Sequence, residues 1–363
     1  VTPPLPPSRL ALFAFVGAMV GSVAAWRAFY ALVLIQPALS RKALIVGAGW
    51  AGRTMVEAIR SVPGEYDLVG FIDDDRRKHG DVIDGLPVLG ARDELCALAT
   101  RTGATEIIVA ITQPDQMHPE MFQAIMDCHE KGILISQMPL LFEQLTGRVP
   151  VEHAGRNLHI VLPLNGSPSR LQRAAKRFVD VLIGVVGVAL TAVLLPLVWL
   201  AMRLEGGGPV FFRQTRVGQG GRPFALLKFR TMIPSAEADG PQWAEENDSR
   251  ATRVGRVLRR VHIDEIPQAV NILRTELSFI GPRPERPEFI EQLERRVPFF
   301  RARHAVRPGI TGWAQVNYPY ADSVEDALIK LQYDLYYIKH QSFWFDLVIF
   351  LRTIRLVLTL HGR

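Results

Sequence analysis

Cysteine is almost missing from this chain: Cys96 and Cys128 are the whole supply in 363 residues. Two thiols make no disulfide framework, so the fold must rest on its hydrophobic core, and a reducing compartment fits. An acidic balance is missing as well. Lysine and arginine number 42 against 36 aspartate and glutamate, giving a net charge of +6 and an isoelectric point near 9.5. A basic chain of 48% hydrophobic residues and mean hydropathy +0.12 points to anionic partners. Nucleotides, phosphorylated lipids and the inner membrane leaflet are the classes in view. The helix-turn-helix pattern, zinc-ligand spacing and basic-aromatic motifs of nucleic-acid binders are all absent, so no nucleic-acid partner is expected. Nor does Tyr-x-x-x-Lys occur anywhere, which counts against an NAD-dependent sugar-nucleotide dehydratase or epimerase tethered to a membrane.

The length leaves room for two domains. The chain begins with Val rather than Met, as expected of a fragment or of a non-standard start codon. After a proline-rich start, residues 10–26 run without a charge, and the apolar pattern resumes over 28–35 beyond Arg27. A spanning helix is preferred to a signal peptide, because Arg9 alone is a meagre basic flank. Residues 1–40 are thus read as a transmembrane segment. Arg27, Arg41 and Lys42 on its C-terminal side place the remainder in the cytoplasm. Ala43-Leu-Ile-Val46 then reads as a buried strand leading into Gly47-Ala-Gly49-Trp-Ala-Gly52 and a helix. A second strand over 67–72 ends in Asp73. Further strands at 106–111 and 132–135, with a helix over 120–129 between them, predict a Rossmann-like, doubly wound α/β domain over 41–165. Gly47, Gly49, Gly52 and Asp73 are its candidate cofactor-binding residues, for NAD or another nucleotide. The same glycine turn can also simply close a strand onto a helix.

Residues 181–202 form a second uncharged run, with Arg170, Arg173, Lys176 and Arg177 before it and Arg203, Arg213 and Arg216 after it. Cations on both flanks, and Pro196 inside, predict a helix over about 173–205 that enters one leaflet, bends at the proline and returns. Residues 170–363 would be the catalytic domain. Within it, His262-Ile-Asp-Glu-Ile-Pro-Gln268 opens a helical pattern with two adjacent carboxylates, and Asp264 is expected to cap that helix. An isolated Asp-Glu pair is usually no more than a cap and a dipole complement. Its company changes the reading. Lys228 and Arg230 share one face of a strand over 224–232, and Arg283 is held between prolines in Gly281-Pro-Arg-Pro284. Arg307-Pro-Gly-Ile-Thr-Gly-Trp-Ala-Gln-Val-Asn317 is a Gly-rich turn running into Trp313. Carboxylates ringed by cations suit phosphoryl transfer at Mg²⁺, and a carboxylate can itself be the nucleophile. A final run over 343–360 predicts an interfacial or core helix in which Asp346, Arg352 and Arg355 form a narrow polar stripe.

At these residues the chain resembles the bacterial polyprenyl-phosphate sugar-1-phosphate transferases, the phosphoglycosyl transferases. The resemblance covers about residues 173–363 and rests on Phe211-Phe-Arg-Gln, Lys228-Phe-Arg-Thr-Met, Asp264-Glu-Ile-Pro-Gln, Gly281-Pro-Arg-Pro-Glu and Pro308-Gly-Ile-Thr-Gly-Trp-Ala-Gln-Val-Asn. The Rossmann-like domain, with Val69-Gly-Phe-Ile-Asp-Asp, is similar to the one carried by large members. Tyr318-Pro-Tyr and Ser323-Val-Glu-Asp-Ala resemble the exopolysaccharide subgroup. The resemblance implies a monotopic catalytic domain on the cytoplasmic face of the bacterial inner membrane. There Asp264 attacks a UDP-sugar, UMP leaves, and undecaprenyl phosphate accepts the sugar phosphate. It further implies that Glu265 helps Asp264 bind Mg²⁺, and that Lys228 and Arg283 hold phosphates. Arg230 and Trp313 are added as substrate-binding candidates. Small members usually break the re-entrant helix at Ser-Pro, whereas Leu195 precedes Pro196 here. Large members carry four or five N-terminal spans, against one in this chain. A homodimer is compatible with the resemblance, although no residue fixes the oligomeric state. The remaining alternative, a non-catalytic scaffold for polysaccharide assembly, would have no use for the acidic pair and its cations.

Overall fold

A computed structural model describes residues 9–29, 40–113, 117–154, 158–161, 169–233, 236, 249–318 and 323–359. The chain divides into two compact units, Val1–Thr146 and Gly147–Arg363. In the first, α1 (Arg9–Phe29) carries the uncharged run 10–26, with Phe13, Phe15, Met19 and Trp26 exposed. The continuation of that run over 30–35 lies outside the described residues.

A six-stranded sheet follows, in the order β3-β4-β2-β1-β5-β6. Its strands are β1 (Arg41–Val46), β2 (Tyr66–Ile72), β3 (Val82–Ile83), β4 (Leu86–Gly90), β5 (Glu106–Val109) and β6 (Leu134–Gln137). All pairings are parallel except β3 with β4. Helices α2 (Trp50–Arg60), α3 (Leu95–Thr102), α4 (Pro119–Glu130) and α5 (Met138–Thr146) cover it. Ala43, Leu44, Ile45 and Val46 are fully buried, as a parallel strand covered on both faces requires. The β3–β4 hairpin and α3 have no counterpart among the sequence-predicted elements. Cys96 on α3 and Cys128 on α4 are joined as a disulfide, their Cα atoms 5.4 Å apart. The two cysteines are therefore paired, which a reducing compartment would not favour, while one bridge between helices is still not a framework.

The second unit begins earlier than composition suggests. Val149, Val151, Ala154, Ile160 and Val161, expected in the Rossmann-like domain, pack instead into the largest core of the second unit. Val149 N donates to Gln332 O, and Glu152 accepts from the Gln332 amide at 2.7 Å. After α6 (Leu158–Val161) comes α7 (Arg170–Leu204), 35 residues opened by a Ser169–Gln172 capping box. Pro196 does not interrupt it. A proline removes one donor and crowds one carbonyl, but the rest of the ladder carries the helix on. Asp180, Gly184, Thr191, Val198 and Met202 form its buried stripe, while Phe178, Leu182, Val193 and Leu197 are exposed. Among the described residues, α7 is the helix long and apolar enough to cross a membrane.

The hairpin β7 (Phe211–Val217) and β8 (Pro223–Phe229) leads to α8 (Arg253–Arg260), a 3-10 turn (Ile263–Gln268) and α9 (Ala269–Leu273). Then come β9 (Ser278–Ile280), α10 (Pro287–Arg296), β10 (Gly309–Thr311), α11 (Trp313–Asn317), α12 (Val324–Lys339) and α13 (Phe343–Leu358). β9 and β10 pair in parallel and bring two motifs together. A Cβ on Gly309 would lie 2.1 Å from Gly281 N, and one on Gly312 would lie 2.2 Å from Gly281 O. Only glycine permits that crossing. On α13 the expected polar stripe is not formed. Asp346 turns in to Lys176 Nζ (2.8 Å) and the Tyr337 hydroxyl (2.9 Å), whereas Arg352 lies over the Trp313 ring. Six residues of helix turn the two charges about 120° apart, so they cannot share one narrow stripe. Phe343, Trp344 and Leu351 are exposed.

Candidate active site

Asp264 does not cap a helix. His262 takes the left-handed conformation (φ 56°), and Asp264 and Glu265 follow within the 3-10 turn, where Glu265 N donates to His262 O. The tight turn presents both carboxylates to a cavity of about 1040 Å³ within the second unit. Lys228 and Arg230 line the same cavity, and so does Arg283. Five of the six site residues predicted in this unit thus line one cavity.

Each cation is placed by a specific device. Lys228 lies near the end of β8, and the buried Asn271 side chain holds that strand. Its Oδ1 accepts from Leu227 N at 3.1 Å, and its Nδ2 donates to Ala225 O at 2.8 Å. Arg283 stands in the turn after β9. The backbone of that turn is fixed from behind: Arg303 Nη2 donates to Arg283 O (2.9 Å), and Arg216 Nη1 donates to Pro284 O (3.0 Å). Arg303 is itself held by the buried Asp334 carboxylate at 2.8 Å. Arg230 lies just past the end of β8, with its backbone N–H on Val210 O and Nη2 on Gly207 O. Its buried Nε has no partner.

Lys228 Nζ and Arg283 Nη2 both donate to Glu265 Oε1, at 2.8 and 2.7 Å. Burial works against the Glu265 anion, yet Arg283 and Lys228 outweigh it and hold that carboxyl well below the usual range. Burial likewise lowers Lys228, with Glu265 opposing. Asp264 behaves differently. It is 8% exposed, and among the described residues nothing donates a hydrogen bond to it. Burial pushes it up to about 6, with the Glu265 charge adding to the rise and Lys228 and Arg283 opposing. Glu265 is therefore a fixed negative charge that organises two cations. Asp264 is the carboxylate of the pair with no hydrogen-bond partner among the described residues.

The pair also fits Mg²⁺ of a particular kind. No group of three or more His, Cys, Asp or Glu suited to a metal occurs among the described residues. Two adjacent carboxylates in a cationic ring do not enclose an ion, but they suit one that shares its ligands with substrate phosphates.

Trp313 stands apart. It packs in the core against Tyr336 and Phe345, its Nε1 donates to Gly147 O at 2.8 Å, and it does not line the cavity. Arg259 and His262 line the cavity and were not singled out from sequence, and Arg259 adds its positive charge to the field at Asp264. The signal was present, since both lie within five residues of the pair on an Arg-rich segment. In the first unit the glycine loop forms as predicted in outline. Gly47 has φ +104°, and a Cβ on Gly52 would lie 2.1 Å from Gly47 O. A Cβ on Gly49 would meet open space. Asp73, however, is already engaged. Its Oδ2 accepts from Ala48 N (2.8 Å) and Lys78 Nζ (3.0 Å), and its Oδ1 accepts from Asp75 N (2.9 Å).

A cationic ring about two unequal carboxylates, walled in part by the apolar helix α7, is chemically suited to phosphate groups. Comparison with known proteins gives the family. Residues 171–360 match the bacterial sugar transferase model, and residues 7–139 match a CoA-binding domain model. The chain is 31% identical over 352 residues to the UDP-glucose:undecaprenyl-phosphate glucose-1-phosphate transferase of Escherichia coli (strain K12), covering 91% of this chain and 74% of that one. It is 41% identical over 258 residues to the UDP-N-acetylgalactosamine-undecaprenyl-phosphate N-acetylgalactosaminephosphotransferase of Aeromonas hydrophila, covering 71% of this chain and 60% of that one. A solved structure, the UDP-D-quinovosamine 4-dehydrogenase from Vibrio fischeri, aligns with a TM-score of 0.24 at 25% identity, over 30% of this chain and 85% of that one. The chain belongs to the bacterial sugar transferase family.

Proposed function

We propose that the chain transfers a sugar-1-phosphate from a UDP-sugar to undecaprenyl phosphate, through a covalent phosphosugar on Asp264. The observation that carries the reading is the division between the two carboxylates: Glu265 committed to Lys228 and Arg283, Asp264 uncommitted beside it. Asp264 Oδ attacks the β-phosphorus, the bond to the UMP oxygen breaks, and UMP leaves with the electron pair. An oxygen of the lipid phosphate then attacks the same phosphorus and displaces the Asp264 carboxylate. Lys228 and Arg283 hold the phosphates and spread the charge that develops in each step. Mg²⁺, held by Asp264 and Glu265, would add positive charge at the diphosphate. The relatives are named for glucose and for N-acetylgalactosamine, so the donor is proposed as a class.

The re-entrant placement of α7 belongs to this reading. Near one end Lys176 bonds to Asp346, and near the other Val198 and Met202 pack with Phe229 and Leu258, all within the second unit. In this reading α7, packed on the second unit near both ends and with arginines at both ends, bends at Pro196 without breaking and returns to the side it entered. By the positive-inside rule that side is the cytoplasm. For the glycine loop we read Asp73 as a latch on the loop itself, since a ribose would have to displace Ala48 N and Lys78 from it.

The test is the adduct. Membranes or purified chain given Mg²⁺ and UDP-sugar without acceptor should show a sugar-phosphate mass on the peptide containing Asp264, and Asp264→Asn should release no UMP. Product formation without any adduct at that side chain would remove the covalent mechanism while leaving direct transfer open.

A further inference from the structure

The chemistry above leaves one face of α8 unused. Arg253, Arg256 and Arg260 are exposed and fall within about 60° of one another around the helix axis. Val257 (63% exposed) and Val261 (40%) continue the same face. The opposite side is spent on packing, with Gly255 and Leu258 buried. Among the described residues, none of the three guanidiniums has an acidic partner or any other side-chain bond. Three unneutralised cations beside two exposed valines fit neither a solvated surface, where acids would be interspersed, nor a core.

The position of α8 says what lies opposite. Its first amides, Arg253 N and Val254 N, donate to the carboxylate of Glu205, the residue that ends α7, the second at 3.0 Å. Val254 and Leu258 pack with Val198 and Met202 of α7. α8 is therefore fastened to the end of the apolar helix, where an embedded α7 meets the headgroups. We propose that this face binds the anionic phospholipid surface. Arg253, Arg256 and Arg260 would take lipid phosphates, and Val257 and Val261 would rest at the acyl boundary. The inference rests on α7 lying in a membrane and not on the transfer reaction. Its consequence for the site is positional: α8 runs through Val261 and His262 directly into Asp264.

The test uses the full chain purified in a neutral detergent and titrated, by native mass spectrometry, with phosphatidylglycerol, phosphatidylcholine and UDP. The wild type should prefer phosphatidylglycerol over phosphatidylcholine by about tenfold or more. Added salt should erase the preference, and UDP should leave bound lipid in place. The triple variant Arg253→Gln/Arg256→Gln/Arg260→Gln should lose the preference, whereas the Arg→Lys triple should keep it. Retention of the preference by the glutamine triple, indifference of the wild type to salt, or displacement of lipid by UDP each overturns the proposal, the last making the face a nucleotide site. Should the glutamine triple fail to fold, the salt and UDP arms decide the matter on the wild type alone.

Discussion

In the first unit Asp73 ends β2 beside a glycine loop, and in the second Asp264 stands in a 3-10 turn beside a proline-bound arginine. Both acids belong to motifs of similar prominence in the sequence. Asp73 accepts from two backbone amides and a lysine, and its bonding capacity is directed at its own loop. Asp264 accepts from nothing described and is buried against its own charge. The difference separates structure from chemistry. A satisfied carboxylate contributes stability, whereas an unsatisfied buried one costs stability and is kept for what it does.

Asp264→Asn is the strongest attempt to break that contrast. Transfer should fall by on the order of 10³ or more, as for loss of a nucleophile, while the fold gains. The folded pKa of Asp264 is raised, so the proton is bound more tightly in the folded state. Any stability from this group is complete below its ordinary pKa and is lost as pH rises through about 6. The amide escapes that loss, and its melting temperature at neutral pH should exceed that of the wild type. A variant both inactive and less stable would count against the assignment. The same shift sets an acid limb. kcat/KM should decline below about pH 6 as Asp264 protonates, and saturating Mg²⁺ should move the limb lower.

Glu265→Gln comes next. It leaves Lys228 and Arg283 without their shared anion, and the variant should lose about two orders of magnitude in transfer, with a denaturation midpoint shifted down. Equal activity would mean that the two cations need no organiser. Asp73→Ala should then destabilise the first unit by about 1–3 kcal/mol through unsatisfied loop amides, and UMP release should be unchanged. A parallel fall in turnover would dissolve the distinction drawn above. The smallest effect belongs to Trp313→Phe. Loss of the Nε1 bond to Gly147 O should cost about 1 kcal/mol in thermal denaturation, with KM for the donor unmoved. A donor-specific rise in KM would return Trp313 to the substrate site.

The candidate site of the second unit was legible because its residue types are chemically expensive: adjacent acids, a proline-bound arginine and glycines at a backbone crossing each leave a local mark. What could not be read depends on distant partners. Pro87 hides β4 as a strand, and β3 is only Val82 and Ile83, turned by Asp84 and Gly85 with positive φ. Val149, Val151 and Ile160 follow no period, so only the core they enter decides their unit. Arg216 and Arg303 look like any surface arginine until the carbonyls of Pro284 and Arg283 are seen to accept from them. A narrow stripe through Asp346 and Arg352 needs both on one face, but six residues of helix turn them about 120° apart, toward separate partners.

Gly184 and Gly187 of α7 lie against Leu273 and Ala269, where an added Cβ would come within 2.7 and 2.6 Å of a neighbouring side chain. Ala269 follows Asp264 by little more than one helical turn, so α7 and the acidic turn are packed to move together. Phe229, next to Lys228, packs on Val198 and Met202 of the same helix, and Lys228 bonds to Glu265. A tilt of α7 would therefore carry both walls of the cavity together, and turnover should hold across bilayers of different hydrocarbon thickness.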